Sequence, residues 1–169
     1  MNPSMLLENQ LLVTTFYIPV KSGSLISRPR LTRLLDESLK YPLTLVSAAA
    51  GFGKTTLLAS WSQAFPSTTP RVAWVSLDEE DNDPRLFWTY VLTALNRQVP
   101  ERFTSLLRLF QSPQLPSLNS LLAGLINVLV EGRETFLLIL DDYHLITEHQ
   151  VHTTLTYRDC SSSGKSGVK

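Results

Sequence analysis

Apolar residues fall into alternating runs and periodicities along the chain. Between Arg28 and Lys40, Leu31, Leu34, Leu35 and Leu39 recur at helical spacing, and Pro42 ends that helix. The apolar stretch Leu43 to Ser47 predicts a first strand, followed by a loop of small residues and a helix over 54–64 that Pro66 stops. Arg71 to Leu77 predicts a second strand. Asp83 before Pro84 forms an N-cap and first-turn pair, and the helix behind it carries Phe87, Tyr90, Val91, Ala94 and Leu95 on one face. Leu118, Leu121, Leu122, Leu125, Ile126 and Leu129 give Ser117 to Glu131 near-ideal helical spacing, with Gly132 as its stop. Glu134 to Asp142 is a continuous apolar run closed by two carboxylates, the pattern of a parallel strand buried on both faces. Val151 to Leu155 can continue a helix. Residues 1–27 read as an irregular arm with a short extended piece around Leu11 to Ile18. Strands alternating with helices imply an α/β fold, an open parallel sheet flanked by helices, with ligand chemistry at the C-terminal ends of the strands.

Two candidate chemical motifs fall at such ends. The first is the loop Ala48, Ala49, Ala50, Gly51, Phe52, Gly53, Lys54, Thr55, Thr56. Small residues let backbone N–H groups converge on phosphate oxygens, and a helix starting near Lys54 aims its positive dipole end at the same anion. Lys54 would reach the β- and γ-phosphates and Thr55 would hold Mg²⁺. Ala48 stands where the first glycine of the usual phosphate-loop pattern is written, while Gly51 and Gly53 remain for the tightest backbone approach. The second motif is the Asp141-Asp142 pair. Mg²⁺ keeps several waters and uses few carboxylates, so Asp141 with Thr55 and phosphate oxygens suffices for the metal. Asp142 is the candidate catalytic group that orients or deprotonates an attacking water.

Composition sets bounds. The chain has 169 residues, 43% of them hydrophobic, which is ample for one domain with a core. Fifteen basic and fifteen acidic side chains cancel, so bulk charge draws the chain toward neither nucleic acid nor anionic membrane. Cys160 is the lone cysteine, which excludes an internal disulfide and fits a reducing compartment. The N-terminal region reads as no signal peptide and no bilayer span, and the expectation is a cytoplasmic protein.

Four blocks in one order carry a family resemblance: Leu25 to Leu31, Leu43 to Thr56, Trp74 to Asp78 with Asp81 to Pro84, and Leu138 to His144. Together they cover most of residues 11–150 and resemble the MalT-type (LuxR-like) ATP-dependent transcriptional regulators, within the STAND group of P-loop ATPases. Ala49 replaces a proline common in that loop. The resemblance implies a P-loop NTPase sheet, ATP or ADP with Mg²⁺ as ligands, a slow ATPase that acts as a switch, and an arm around Arg28, Pro29 and Arg30 near the adenine. Self-association belongs to the expectation for a full-length regulator.

Family members are usually much longer, adding a winged helix, a repeat-built sensor and a DNA-binding helix-turn-helix. The expectation is therefore a partial ATPase domain over 28–156, cut short before the strand that in the family carries a γ-phosphate sensor. That strand would lie between the acidic-ended strand and the phosphate-loop strand. Without it, the two either pair directly or face an empty lane of about 4.8 Å per missing strand spacing. Hydrolysis is doubtful on this reading, because the link between Thr55 and Asp141 is expected to depend on that lane. Tyr157 to Lys169 has one aliphatic residue, Val168, and is expected to be a disordered tail. Within it, Ser162 to Ser166 repeats a Gly-Lys-Ser pattern that follows no strand.

Other polar clusters read as structural. The acidic run Asp78 to Asp83 lacks the glycine and terminal glutamate of a Ca²⁺ loop and reads as a solvated turn plus helix cap. His144, His149 and His152 read as solvated helix positions, and Trp61, Trp74 and Trp88 as core or core-edge packing. Two alternatives stay open from sequence: a remnant that no longer binds nucleotide, and a free-standing P-loop ATPase unrelated to transcription. On the favoured reading this chain does not bind promoter DNA by itself, since its zero formal charge supplies no strong phosphate attraction. A low-salt mobility-shift assay checks this, with tight, salt-sensitive binding as the contrary outcome.

Overall fold

The computed structural model describes residues 13–19, 27–66, 69–110, 112 and 116–156. Residues 1–12 and the tail at 157–169 lie outside the described residues, so the expectations for them are not addressed. The order is a 3-10 turn at Val13–Phe16, then α1 (Pro29–Ser38), α2 (Lys54–Ser62), β1 (Arg71–Ser76), a 3-10 turn at Glu79–Asn82 and α3 (Pro84–Gln98). There follow α4 (Thr104–Phe110), α5 (Leu118–Glu131), β2 (Phe136–Asp141), a 3-10 turn at Tyr143–Leu145 and α6 (His149–Leu155). No helix among the described residues is long and apolar enough to cross a membrane.

β1 and β2 pair in parallel, with Arg71 opposite Phe136 and Ser76 opposite Asp141. Side chains of a strand alternate between faces, and here each face has its own core. Ala73, Val75 and Leu77 join Phe87, Val91, Leu92, Phe103 and Leu122 on one side, with Phe136, Leu138 and Leu140 packed against them. Trp74 and Ile139 join Leu35, Ala59 and Trp61 on the other, with Val72 and Leu137 alongside. Helices α3 to α6 supply the first layer, α1 and α2 the second. All three tryptophans are buried as expected. Each indole N–H finds an acceptor: Asp36 Oδ1 for Trp61 (2.8 Å), Ser76 Oγ for Trp74 (2.9 Å) and Thr154 Oγ1 for Trp88 (3.0 Å).

The helix signals hold closely. Asp83 caps α3, its carboxylate accepting from the Arg85 and Leu86 N–H groups at 2.9 Å each. Ser117 caps α5 by accepting from Ser120 N–H. Helix α4 was not anticipated, although Phe103, Leu106, Leu107 and Phe110 stand at helical spacing; Phe103, Leu106 and Phe110 are buried.

Three expectations need correction. Leu43 to Ser47 is not a strand: it pairs with neither β1 nor β2. An extended segment becomes a strand only when a neighbour meets its backbone N–H and C=O groups, and no described segment does. Leu43 and Leu45 are accordingly 64% and 80% exposed, and only Val46 packs inward. The piece near Leu11 to Ile18 is a 3-10 turn over its described part rather than extended. That turn puts Phe16 and Tyr17 around one guanidinium, with Arg97 Cζ 5.4 and 5.2 Å from the two ring centroids, whereas adjacent strand residues would point to opposite faces. The acidic run is only partly solvated. Asp81 is 3% exposed and accepts from the Asp78 N–H at 2.9 Å, so it belongs to the turn's internal capping.

These environments predict opposite responses in two leucines. Leu92→Ala, at a site with no exposure, should destabilise by about 2–5 kcal/mol. Leu45→Lys should change stability by less than about 0.5 kcal/mol and lower binding of an apolar dye. Urea unfolding of both variants checks this; equal losses would place Leu45 in the core.

Candidate functional site

Loop and helix geometry come first. Ala48 to Phe52 are exposed, whereas Gly53, Lys54, Thr55 and Thr56 are half-buried where the loop turns into α2. Gly51 and Gly53 adopt φ of +80° and +77°, a left-handed conformation in which an L side chain is strained. At Gly51 an added Cβ would meet nothing within 4 Å, so the demand there is conformational rather than one of space. Gly53 is the N-cap of α2 and brings no side chain to its first N–H groups.

Two cations brace the loop from its own carbonyls. Lys54 Nζ arches back to donate to the Ala48 oxygen at 2.8 Å and the Ala49 oxygen at 3.3 Å. Arg28 donates from its guanidinium to the Phe52 oxygen at 2.9 Å. The sequence marked the Arg28 region only through the family resemblance; the bond to the loop itself was not anticipated.

The second motif meets the first directly. Thr55 Oγ1, one residue into α2, donates to Asp141 Oδ1, at the end of β2, at 3.0 Å. The expectation that this link needs a strand in the lane beside β2 is corrected: the bond forms although Leu43 to Ser47 joins no ladder. Packing explains it, since Leu57, Leu58 and Trp61 of α2 lie against Trp74, Leu137 and Ile139 and so place Thr55 without a ladder.

Asp141 is 6% exposed. Burial raises its pKa above the usual carboxylate range; the Thr55 hydroxyl pulls it down, the adjacent Asp142 charge pushes it up and Lys54 lowers it. The net direction is upward. Asp142 follows at φ +56° and is exposed, with Oδ1 3.8 Å from His144 Nδ1. Asp141 and Thr55 are thus brought together with Lys54 on the adjacent residue, while Asp142 sits one residue beyond the strand.

Elsewhere the histidines part company. His144 and His149 are exposed, but His152 is half-buried, with Nδ1 in a hydrogen bond to the Tyr143 hydroxyl and its ring edge-on to Tyr143 at 5.4 Å between centroids. No group of three or more metal-ligating side chains occurs among the described residues. Sequence reasoning also passed over Asn82. Its amide bonds both Glu79 and the segment 145–148 after β2, and the only signal for it was its place in the Asp81 to Pro84 block.

No family model matches the chain. Known proteins do. It is 34% identical over 139 residues to the HTH-type transcriptional regulator MalT of Vibrio parahaemolyticus, 36% to that of Serratia proteamaculans and 35% to that of Yersinia enterocolitica. Each match covers 82% of this chain, which spans 15% of the length of these curated relatives.

The raised pKa of Asp141 carries a sign. Its protonated form is favoured by the native state, so the stability it contributes is complete below the ordinary carboxylate pKa and is lost as pH rises through the raised native value. Asp141→Asn keeps an oxygen acceptor for Thr55 without the charge. Relative to wild type, this variant should gain stability between about pH 4 and about pH 7. Urea denaturation at the two pH values checks this, and a wild-type-minus-variant difference independent of pH would rule it out.

Proposed function

By sequence, over 82% of its length the chain belongs with the MalT-type HTH transcriptional regulators, and we propose that it is a nucleotide-binding switch segment of such a regulator. The ligand is ATP or ADP with Mg²⁺, and the compartment is the cytoplasm. In this reading sensing, self-association and promoter recognition belong to other parts of a regulator, of which this chain corresponds to 15%. The observation that carries the reading is the 3.0 Å bond from Thr55 to Asp141, which unites two motifs 86 residues apart in sequence.

The residues fit the group. Ala48 to Gly53 offer a loop of small residues with two left-handed glycines, and Lys54 opens a helix behind it. Lys54 would exchange two neutral carbonyl acceptors for phosphate oxygens, which as charged acceptors bond an ammonium more strongly. Thr55 and Asp141 would hold Mg²⁺, a hydroxyl and one carboxylate being a typical protein share of its oxygen shell. Bound magnesium supplies charge neutralisation on the phosphates. Asp142, exposed at the rim, would orient an attacking water by accepting its hydrogen bond, or deprotonate it. Any turnover is slow in this reading, and the segment acts through which nucleotide it holds.

Titration calorimetry with Mg-ADP and Mg-ATP tests the reading. Lys54→Ala should weaken binding by about 10- to 150-fold, the equivalent of about 1.5–3 kcal/mol for a charge-assisted hydrogen bond. Asp141→Asn should reduce the dependence of binding on Mg²⁺. Asp142→Asn should bind normally and abolish any residual turnover. Equal affinities for wild type and Lys54→Ala would remove the site assignment, and no binding by wild type would favour a remnant that has lost nucleotide.

A further inference from the structure

The acidic block between β1 and α3 has no part in the nucleotide reading, yet it reaches the turn behind the two carboxylates. Asn82 closes the 3-10 turn Glu79–Asn82. Its Nδ2 donates to the Glu79 oxygen at 2.9 Å and to the Leu145 oxygen at 3.0 Å. Its Oδ1 accepts from Thr147 N–H at 2.7 Å, Glu148 N–H at 3.0 Å and the Thr147 hydroxyl at 3.2 Å. Within the segment it grips, Leu145 N–H donates to the Asp142 oxygen at 3.0 Å.

The polarity of these bonds selects the residue. Holding a carbonyl at 145 and two N–H groups at 147 and 148 takes a donor and an acceptor on one short side chain, which a primary amide has and an ionised carboxylate lacks. The conformation of Asp142 gives the grip a purpose. A non-glycine residue at φ +56° sits in a sparsely populated region and persists there only when its surroundings over-determine it. The Asp141 oxygen is already tied to the β1 side by Leu77 N–H at 3.1 Å.

We propose that Asn82 is a positioning residue for the carboxylate pair, holding the turn 142–148 against the end of β1 so that Asp142 keeps its left-handed conformation beside Asp141. The functional part of this role rests on the nucleotide reading above; the clamp itself does not.

Two measurements on the full chain separate these parts. The first is amide hydrogen exchange without nucleotide. In Asn82→Ala, Leu145, Thr147 and Glu148 should exchange about tenfold faster or more, while the amides of β1 and β2 keep wild-type protection. Unchanged exchange at those three positions overturns the clamp. The second is the ratio of ADP affinities with and without Mg²⁺, which should fall at least about threefold in Asn82→Ala while affinity without the metal stays within about twofold. Parallel loss of both affinities would mark a merely structural residue and overturn the positioning role. Asn82→Asp has the same size and still accepts from the Thr147 and Glu148 N–H groups but has no donor for Leu145. It should release Leu145 alone, speeding its exchange while Thr147 and Glu148 keep their protection, should lower the Mg²⁺ ratio as the alanine variant does, and serves if that variant does not fold. Wild-type exchange at Leu145 together with a wild-type Mg²⁺ ratio in Asn82→Asp overturns the proposal. A wild type with no Mg²⁺-dependent gain ends the nucleotide reading and this role with it, while the exchange experiment still decides whether the clamp exists.

Discussion

Burial of both faces of the β1–β2 ladder is the constraint on which the rest of this structure depends. Two parallel strands of six residues cannot be joined by a tight turn, and the chain between them supplies α3, α4 and α5 as the crossover. Those helices cover the face made by Ala73, Val75, Leu138 and Leu140, leaving Trp74, Leu137 and Ile139 for α1 and α2. A shift of one residue in either strand would swap its large side chains between layers built for different partners. The polar ends of the strands are fixed as a result, and Ser76 and Asp141 finish level with each other.

Where a signal was local, the sequence showed it. Asp83-Pro84 gave the start of α3 because cap and first turn lie within a few residues, and the apolar run before Asp141 gave β2 because side chains from both its faces pack against a core, most of them half-buried. Lys54 at the head of α2 was legible for the same reason. Features that depend on distant partners were not. Leu43 to Ser47 has strand composition, but strand identity is a property of a pair, and no described neighbour supplies the pairing. Asp81 has the sequence of one more solvated acid but is buried within its own turn, and burial raises its pKa and that of the nearby Tyr90. His152 likewise gains its Tyr143 partner only once the chain reverses after β2.

The candidate site also shows a tension between stability and chemistry. Asp141 is held where its charge is poorly solvated, next to a second carboxylate, with the Thr55 hydroxyl, the Asp142 backbone and the Lys54 charge as partial compensation. That arrangement costs the folded protein at neutral pH, and a bound divalent cation is the kind of partner that would relieve it. Sites that keep an unsatisfied charge for a ligand are commonly less stable than an apolar replacement would be. The Thr55 hydroxyl is a mild partner in this respect, since it neutralises nothing and leaves the negative charge available.

The three indoles divide the molecule in a way that makes it optically legible. Trp61 lies in the helix that begins with Lys54 and joins α2 to α1 through Asp36; Trp74 lies in the sheet; Trp88 ties α3 to α6 through Thr154. Each is nearly sealed from water; Trp61 and Trp74 share the core beside α1 and α2, and Trp88 belongs to the opposite one. A chain keeping Trp61 alone would register rearrangement of the loop-bearing helix, and one keeping Trp88 alone would follow the opposite face. The protein therefore carries, without added label, native fluorophores able to tell an event confined to the loop side from a loosening of the whole fold.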